Sequence, residues 1–286
     1  MVFSQVIPLK TPENQYALRF LDPSKSLPHE YYMLELVSKQ GVAPHVYHMD
    51  AEKGIILMAY VNDAKTISLD EAKLAILPIT SALHQVHSIP KAPFPLMRLI
   101  DKIRHNCSKL KCHSLINESC AKTMSEIEEL HLKLEAQGYP QSMIHGDLHG
   151  KNMFLTKEGS VLIIDWEGAC YDDPFFDLAY SVCTLNFNPE LEGEYLSTYL
   201  GYTANDEEWR HYLLCKKFVL LGIYFELLEY AYHSNGFKPF VEIQEVPHSW
   251  EWYVERFMDS SQPGSPEHLY HWANAALHLA KESIPQ

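Results

Sequence analysis

Eight residues near the middle of the chain, HGDLHGKN at 145–152, hold two histidines, an aspartate, a lysine and an asparagine. Read as His145-x-Asp147-x-His149, they put metal-capable side chains on one face of an extended segment, the arrangement a zinc- or iron-dependent hydrolase would use. Phosphoryl transfer asks for something else: a carboxylate to orient the attacking hydroxyl, oxygen ligands for Mg2+, and a cation for the phosphates. The residues that follow favour the second chemistry. NMFLTKEGSVLIIDWE reads as two apolar strands around the turn TKEGS, so Asn152 stands at one end of a hairpin and Asp165 at the other. Asp147, Asn152 and Asp165 can then converge at one edge of the ribbon. Mg2+ prefers hard oxygen ligands and retains waters, which suits a carboxylate and an amide oxygen. The hydrolase reading leaves Asn152, Asp165 and Glu167 without a shared purpose.

The elements that must position this loop can be read along the chain. QYALRFL is a strand with Arg19 among apolar neighbours, and VAPHVYHM and GIILMAYV are two more, joined by the turn DAEKG. Between them SLPHEYYMLELVSKQG is a helix in which Tyr31, Leu34 and Val37 recur on one side, with Gly41 as its stop. After a boundary near Tyr60 to Ala64 the pattern turns helical. SLDEAKLAILPITSALHQVHS should break at Pro78, TMSEIEELHLKLEAQG should be capped by Thr123 or Ser125 and ended by Gly138, and DEEWRHYLLCKKFVLLGIYFELLEYAYHSNG is the longest helix.

Bulk properties narrow the class. The 286 residues are 47% hydrophobic, enough for a substantial core. Lys+Arg number 23 against 37 Asp+Glu, a formal charge of -14 that argues against a nucleic-acid surface. No basic-then-apolar leader opens the sequence, and FVLLGIYF is far shorter than the ~20 residues of a membrane span, so a soluble, cytoplasmic protein without a membrane partner is expected. Six cysteines fit free thiols in that compartment. Cys107, Cys112, His113 and Cys120 offer a zinc set in type, though not in familiar spacing.

HGDLHGKNMFL followed by VLIIDWEGACYDDPFFDLAY resembles the paired motifs of the aminoglycoside phosphotransferase and choline/ethanolamine kinase superfamily, most of all bacterial choline-kinase-type enzymes. YALRF, PHEYYMLELVSKQGVAPHVYHMD, GIILMAYV and LHQVHS extend the resemblance, which covers about residues 4–185. It implies an α+β, two-lobed protein-kinase-like fold: a small β-rich nucleotide-binding lobe at 1–61 and a larger helical lobe at 62–286 carrying the catalytic loop, metal site and acceptor pocket. It implies an ATP-dependent small-molecule kinase with Asp147 as catalytic base, Asn152, Asp165 and Glu167 as Mg2+ ligands, and Arg19, paired with Glu30, at the nucleotide phosphates. Met58 and Tyr60 would lie at the adenine hinge, and His145, His149 and Asp177 would support the loop.

A cationic acceptor such as choline, ethanolamine or another amino alcohol would need aromatic faces and carboxylates. Trp166, Tyr171, Tyr224, Phe225, Glu226 and Glu229 are the foremost candidates, with Tyr230, Trp250 and Trp252 behind them. Aminoglycosides and thiamine are equally cationic. One departure stands out: no glycine precedes the YALRF strand, so either the natural start lies upstream or the phosphate-covering loop is absent, with FSQVIPL supplying one strand and Ser4 near its tip. That departure motivates the alternative of a catalytically weak pseudokinase.

Overall fold

The computed structural model describes residues 5–21, 28–62, 65–240, 245–259 and 264–282; Ser4 lies outside them. The strand-forming segments at the start zip into one antiparallel sheet. Strand β1 (Gln5–Lys10) pairs with β2 (Gln15–Phe20), and after helix α1 (Pro28–Lys39) come β3 (Val46–Asp50) and β4 (Ile55–Ala59), in the spatial order β1-β2-β4-β3. The β1–β2 turn is closed by the Thr11 amide donating to the Asn14 carbonyl at 2.8 Å, and no glycine takes part. Helix α1 buries Met33, Leu34 and Val37, which follow the helical period. It packs against β3 on one side and the 3-10 turn Trp166–Gly168 on the other.

The remainder is helical around a small hairpin. In chain order it comprises β5 (Lys65–Thr66), α2 (Leu69–Ala72), α3 (Ile76–His87), α4 (Leu99–Cys112), α5 (Glu118–Gln137), β6 (Ser142–Ile144), β7 (Met153–Leu155), β8 (Val161–Ile163), β9 (Cys170–Asp172), α6 (Phe175–Thr184), α7 (Pro189–Leu200), α8 (Asp206–Ser234), α9 (Trp250–Asp259) and α10 (Pro266–Glu282). β7 and β8 form the expected hairpin, with β5 added at its outer edge, and β6 pairs with β9. Helix α8 is the axis: α4, α5, α6 and α10 pack around it, so it is apolar on several sides rather than along one stripe. A reciprocal capping box of Asn205 and Glu208 starts it. Among the described residues no helix is long and apolar enough to cross a membrane.

Three local expectations need correction. Pro78 does not break the helix: the interruption lies between α2 and α3, and Pro78 occupies the first turn of α3, where its missing N–H would have no intrahelical acceptor anyway. Helix α5 begins earlier than expected, capped by the Asn117 side chain on the Cys120 amide at 2.8 Å. Thr123 and Ser125 instead lie inside it, bonding back to the carbonyls of Ser119 and Ala121; Gly138 ends it with φ 67° as expected. Among the described residues, Cys107, Cys112, His113 and Cys120 do not gather into a metal-holding group. Cys112 is exposed, Cys120 is buried against the Tyr224 hydroxyl at 3.1 Å, and His113 stacks on Phe237.

Candidate active site

The loop between β6 and β7 is held from below by one carboxylate. Asp177, near the start of α6, accepts the amides of His145 at 2.8 Å and Gly146 at 2.9 Å, while His87 Nε2 lies 3.2 Å from it and His87 Nδ1 2.7 Å from the Tyr199 hydroxyl. Burial pushes the Asp177 carboxyl up, yet the His87 bond and ring and the Gly146 N–H together hold it below the usual carboxylate range. His145 is wholly buried; its Nδ1 accepts the Asp147 amide and its Nε2 is 2.9 Å from the Ile164 carbonyl, which assigns the neutral Nε2–H tautomer. Gly146 has φ +75°, and a Cβ there would stand 2.7 Å from the Gly168 carbonyl. The loop and the turn after β8 therefore approach as two nearly bare backbones.

This framing undoes the hydrolase geometry. Both ring nitrogens of His145 are engaged inward, His149 Nε2 is 3.9 Å from the Asp147 carboxylate, and among the described residues the three do not form a metal-holding group. Burial lowers the His149 pKa, so its ring is neutral, edge-on to Phe257.

Asp147, Asn152 and Asp165 do meet at the mouth of the hairpin. The Asn152 amide nitrogen donates to the Asp147 carbonyl at 3.0 Å and reaches its carboxylate at 3.5 Å, so the side-chain oxygen is the atom of Asn152 able to take a cation. Asp165 follows β8 in the left-handed region (φ 66°), a conformation aspartate tolerates better than most residues, and its carboxylate is 41% exposed. From the sheet, Arg19 bridges to both sides: its guanidinium is 2.9 Å from Glu30 and 3.4 Å from Asp165. Burial, outweighing Arg19, holds the Glu30 carboxyl above its ordinary value.

Glu167 is pushed up to about 7, first by burial and then by Asp165, Glu30 and Asp147. Glu167 thus stands among Asp165, Glu30 and Asp147 with Arg19 opposing them, a set of hard oxygens that fits a divalent cation of the Mg2+ type. Met58 is buried at the end of β4, and Tyr60 just beyond it is 40% exposed.

On its other side Asp147 opens into a cavity of about 1390 Å³. Helix α8 supplies Ile223, Glu226, Leu227, Glu229 and Tyr230, α6 supplies Tyr180, and α9 and α10 close it with Trp250, Trp252, Phe257 and Trp272. Of the sequence candidates, Glu226, Glu229, Tyr230, Trp250 and Trp252 are brought here. Trp166, Tyr171, Tyr224 and Phe225 are not among the lining residues. Trp166 is buried beneath the loop with its N–H on the Ile163 carbonyl, Tyr171 lies under Lys91, Tyr224 bonds Cys120, and Phe225 is in the core.

The helical period explains the division on α8. Positions 223, 226, 227 and 230 share a face and 224 and 225 lie off it, while Glu229, one turn after Phe225, reaches the cavity from the edge of that face. Tyr180 was missed, although it stands one helical turn after Asp177. Lys102 of α4 was missed as well; its ammonium donates to the Gly168 carbonyl, and nothing near it in sequence signals that partner.

The cavity is electrostatically strained. Burial and the charge of Asp147 push Glu226 up to about 8, with Lys102 opposing and Glu167 and Glu229 adding to the rise. Glu226, burial and Asp147 raise the Tyr230 phenol, and burial with Asp147 and Glu226 raises Tyr180. Because the folded pKa of Glu226 exceeds its ordinary 4.5, its contribution to stability is full below that value and is lost as pH rises through about 8. Wild-type protein should therefore lose melting temperature between about pH 5 and pH 8 more steeply than Glu226→Gln, which keeps the contributions of Glu167, Glu30 and His149 but loses that of Glu226. Equal slopes in thermal melts across that range would remove Glu226 as the cause.

A profile of the phosphotransferase enzyme family matches residues 4–213. A LicA homolog of Mycoplasma capricolum is 29% identical over 129 residues, 45% of this chain and 52% of that protein, and the chain spans about half the length of the curated relatives it matches. Two solved structures share the fold: a choline/ethanolamine kinase family protein from Mesorhizobium loti (19% identity, TM-score 0.68, 95% of this chain and 82% of that one) and the choline kinase LicA from Streptococcus pneumoniae (20%, 0.67, 96% and 89%). The architecture is thus α+β and protein-kinase-like, with a small sheet-rich part and a larger helical part. Because the match spans well over half the sequence and includes the loop, the hairpin and the Arg19 strand, the chain belongs to the phosphotransferase enzyme family.

Proposed function

We propose that the chain transfers the γ-phosphate of ATP to a hydroxyl of a small cationic acceptor, an amino alcohol of the choline or ethanolamine kind. The observation that carries this reading is the position of Asp147 between two sites, the oxygen cluster with Arg19 on one side and an aromatic, carboxylate-lined cavity on the other. Burial first and then the Asp147 charge push Glu226 up to about 8, and a bound ammonium would offset the charge part of that rise, which supports a cation as the natural occupant. The choline kinase identity of one structural neighbour agrees.

In this proposal residues 1–61 form the nucleotide-binding lobe and 62–286 the acceptor lobe. The adenine lies against Met58 and Tyr60, and Arg19, steadied by Glu30, contacts the phosphates. Asn152, Asp165 and Glu167 hold Mg2+, which when bound offsets the phosphate charge. Asp147 accepts the proton of the acceptor hydroxyl and aims its oxygen, while Glu226 holds the ammonium with Glu229 beside it, the latter also 3.3 Å from the Lys109 ammonium. His145, His149 and Asp177 keep the loop in shape. The turn at Thr11–Asn14, lacking glycine, gives the phosphates little backbone cover, so modest nucleotide affinity is expected.

Coupled ADP release against choline, ethanolamine, thiamine, methylthioribose, homoserine and several aminoglycosides tests activity and acceptor together; Mg2+-dependent turnover with an amino alcohol is the expected result, and none with any acceptor would sink the proposal. Asp165→Ala should abolish the thermal stabilisation that Mg2+-nucleotide gives the wild type, because it removes a ligand carboxylate that also lies 3.4 Å from the Arg19 guanidinium. Unchanged stabilisation would remove Asp165 from the metal site.

A further inference from the structure

Away from the loop, three side chains of different chemistry converge in the core. Asp173 precedes α6, and His211 and Cys215 stand one turn apart on α8; all three are buried, and one donor atom from each lies within 4.8 Å of the others. Asp173 Oδ2 is 2.8 Å and Cys215 Sγ 3.6 Å from the same ring nitrogen, His211 Nε2. A proton relay would put the thiol on one nitrogen and the carboxylate on the other. Here both crowd Nε2, while Nδ1 is taken by the Gln137 side-chain oxygen at the end of α5. That is how a ligating histidine is usually oriented: one nitrogen to the ion, the other N–H to an outer acceptor. Asp173 is divided in the same way, its Oδ1 accepting the Phe175 amide at 2.9 Å and its Oδ2 facing the cluster. Tyr139 stacks on the imidazole at 3.6 Å and fixes its plane.

We propose that Asp173, His211 and Cys215 form a site for a divalent transition ion of the zinc type, separate from the phosphotransfer centre. Zn–S and Zn–N bonds of about 2.3 and 2.0 Å at a tetrahedral angle set sulfur and nitrogen about 3.6 Å apart, as found, and the Asp173 oxygen needs to open by about 0.5 Å. A cavity of about 180 Å³ reaches the cluster at its Asp173 and Tyr139 edge, while His211 and Cys215 lie behind it, fully buried. Binding displaces the thiol proton of Cys215 and the Nε2 proton of His211 to solvent, with no change of oxidation state. The ion would tie α8 to the segment that leads into Asp177, and so brace the catalytic loop from outside the active site.

The untagged full chain, stripped with a chelator, is titrated with Co2+ as the spectroscopic stand-in. The expected result is a sulfur-to-cobalt charge-transfer band with tetrahedral visible bands, saturating at one ion per chain, displaced by Zn2+, lost in Cys215→Ser and kept in Cys112→Ser. No such band in the wild type, or a band that survives Cys215→Ser, overturns the proposal. Should Cys215→Ser fail to fold, X-ray absorption of the zinc-loaded wild type decides: one sulfur near 2.3 Å supports the site, and a shell of nitrogen and oxygen alone overturns it.

Discussion

Asp147→Asn should lower kcat by about 100- to 10,000-fold while leaving nucleotide-induced thermal stabilisation nearly intact. The asymmetry follows from geometry. Asn152 is anchored mainly through the Asp147 carbonyl, a backbone atom the substitution keeps, so the Mg2+-nucleotide side is little disturbed. What disappears is the carboxylate charge facing the acceptor. A second readout comes with it: the Asp147 charge is the leading electrostatic cause of the raised Glu226 carboxyl, so in Asp147→Asn that carboxyl should titrate closer to its ordinary range. Steady-state kinetics, nucleotide thermal shifts and a pH titration of the variant check all three. Wild-type turnover, or loss of nucleotide binding equal to the loss of kcat, would contradict the assignment.

Asp177→Ala should be the most damaging change to stability, on the order of 3–5 kcal/mol, because it strands the His145 and Gly146 amides and the His87 ring in a fully buried place. For a chain of this size that corresponds to roughly 10 °C in melting temperature. Asp177→Asn should recover little, since its NH2 must face one of the two amide donors. Asp177 acts by positioning: kcat should fall with the loop's displacement even below the melting transition. Denaturant titration of both variants gives the measurement, and a loss under about 1 kcal/mol would mean the loop is held by other bonds.

Much of the phosphate-side geometry was legible because it is local or hairpin-borne. A turn in TKEGS sets Asn152 against Asp165, and five residues separate Asp147 from Asn152, so the sequence almost dictates their meeting. The Arg19–Glu30 pair was legible only through the family resemblance, since nothing in either segment states the partner. The acceptor side was read poorly for a physical reason. Its wall is built from α6, α8, α9 and α10, distant in sequence, and which face of α8 looks inward is decided by how α4, α5, α6 and α10 surround a helix apolar on several sides. With no single stripe to read, Tyr224 and Phe225 looked as eligible as Glu226 and Tyr230. The capping errors at Thr123 and Ser125 have a related origin: a hydroxyl inside a helix can bond back to a carbonyl as readily as it can cap, and Asn117, as good a cap as Ser125 and better than Thr123, stood upstream.

Transfer itself is the most direct test. Incubating the protein with Mg2+, γ-labelled ATP and an amino alcohol should move the label onto the acceptor in the wild type and leave it on nucleotide in Asp147→Asn. Label appearing on the acceptor at equal rates in both proteins, or only in water as free phosphate whatever acceptor is supplied, would contradict a phosphotransfer centred on Asp147.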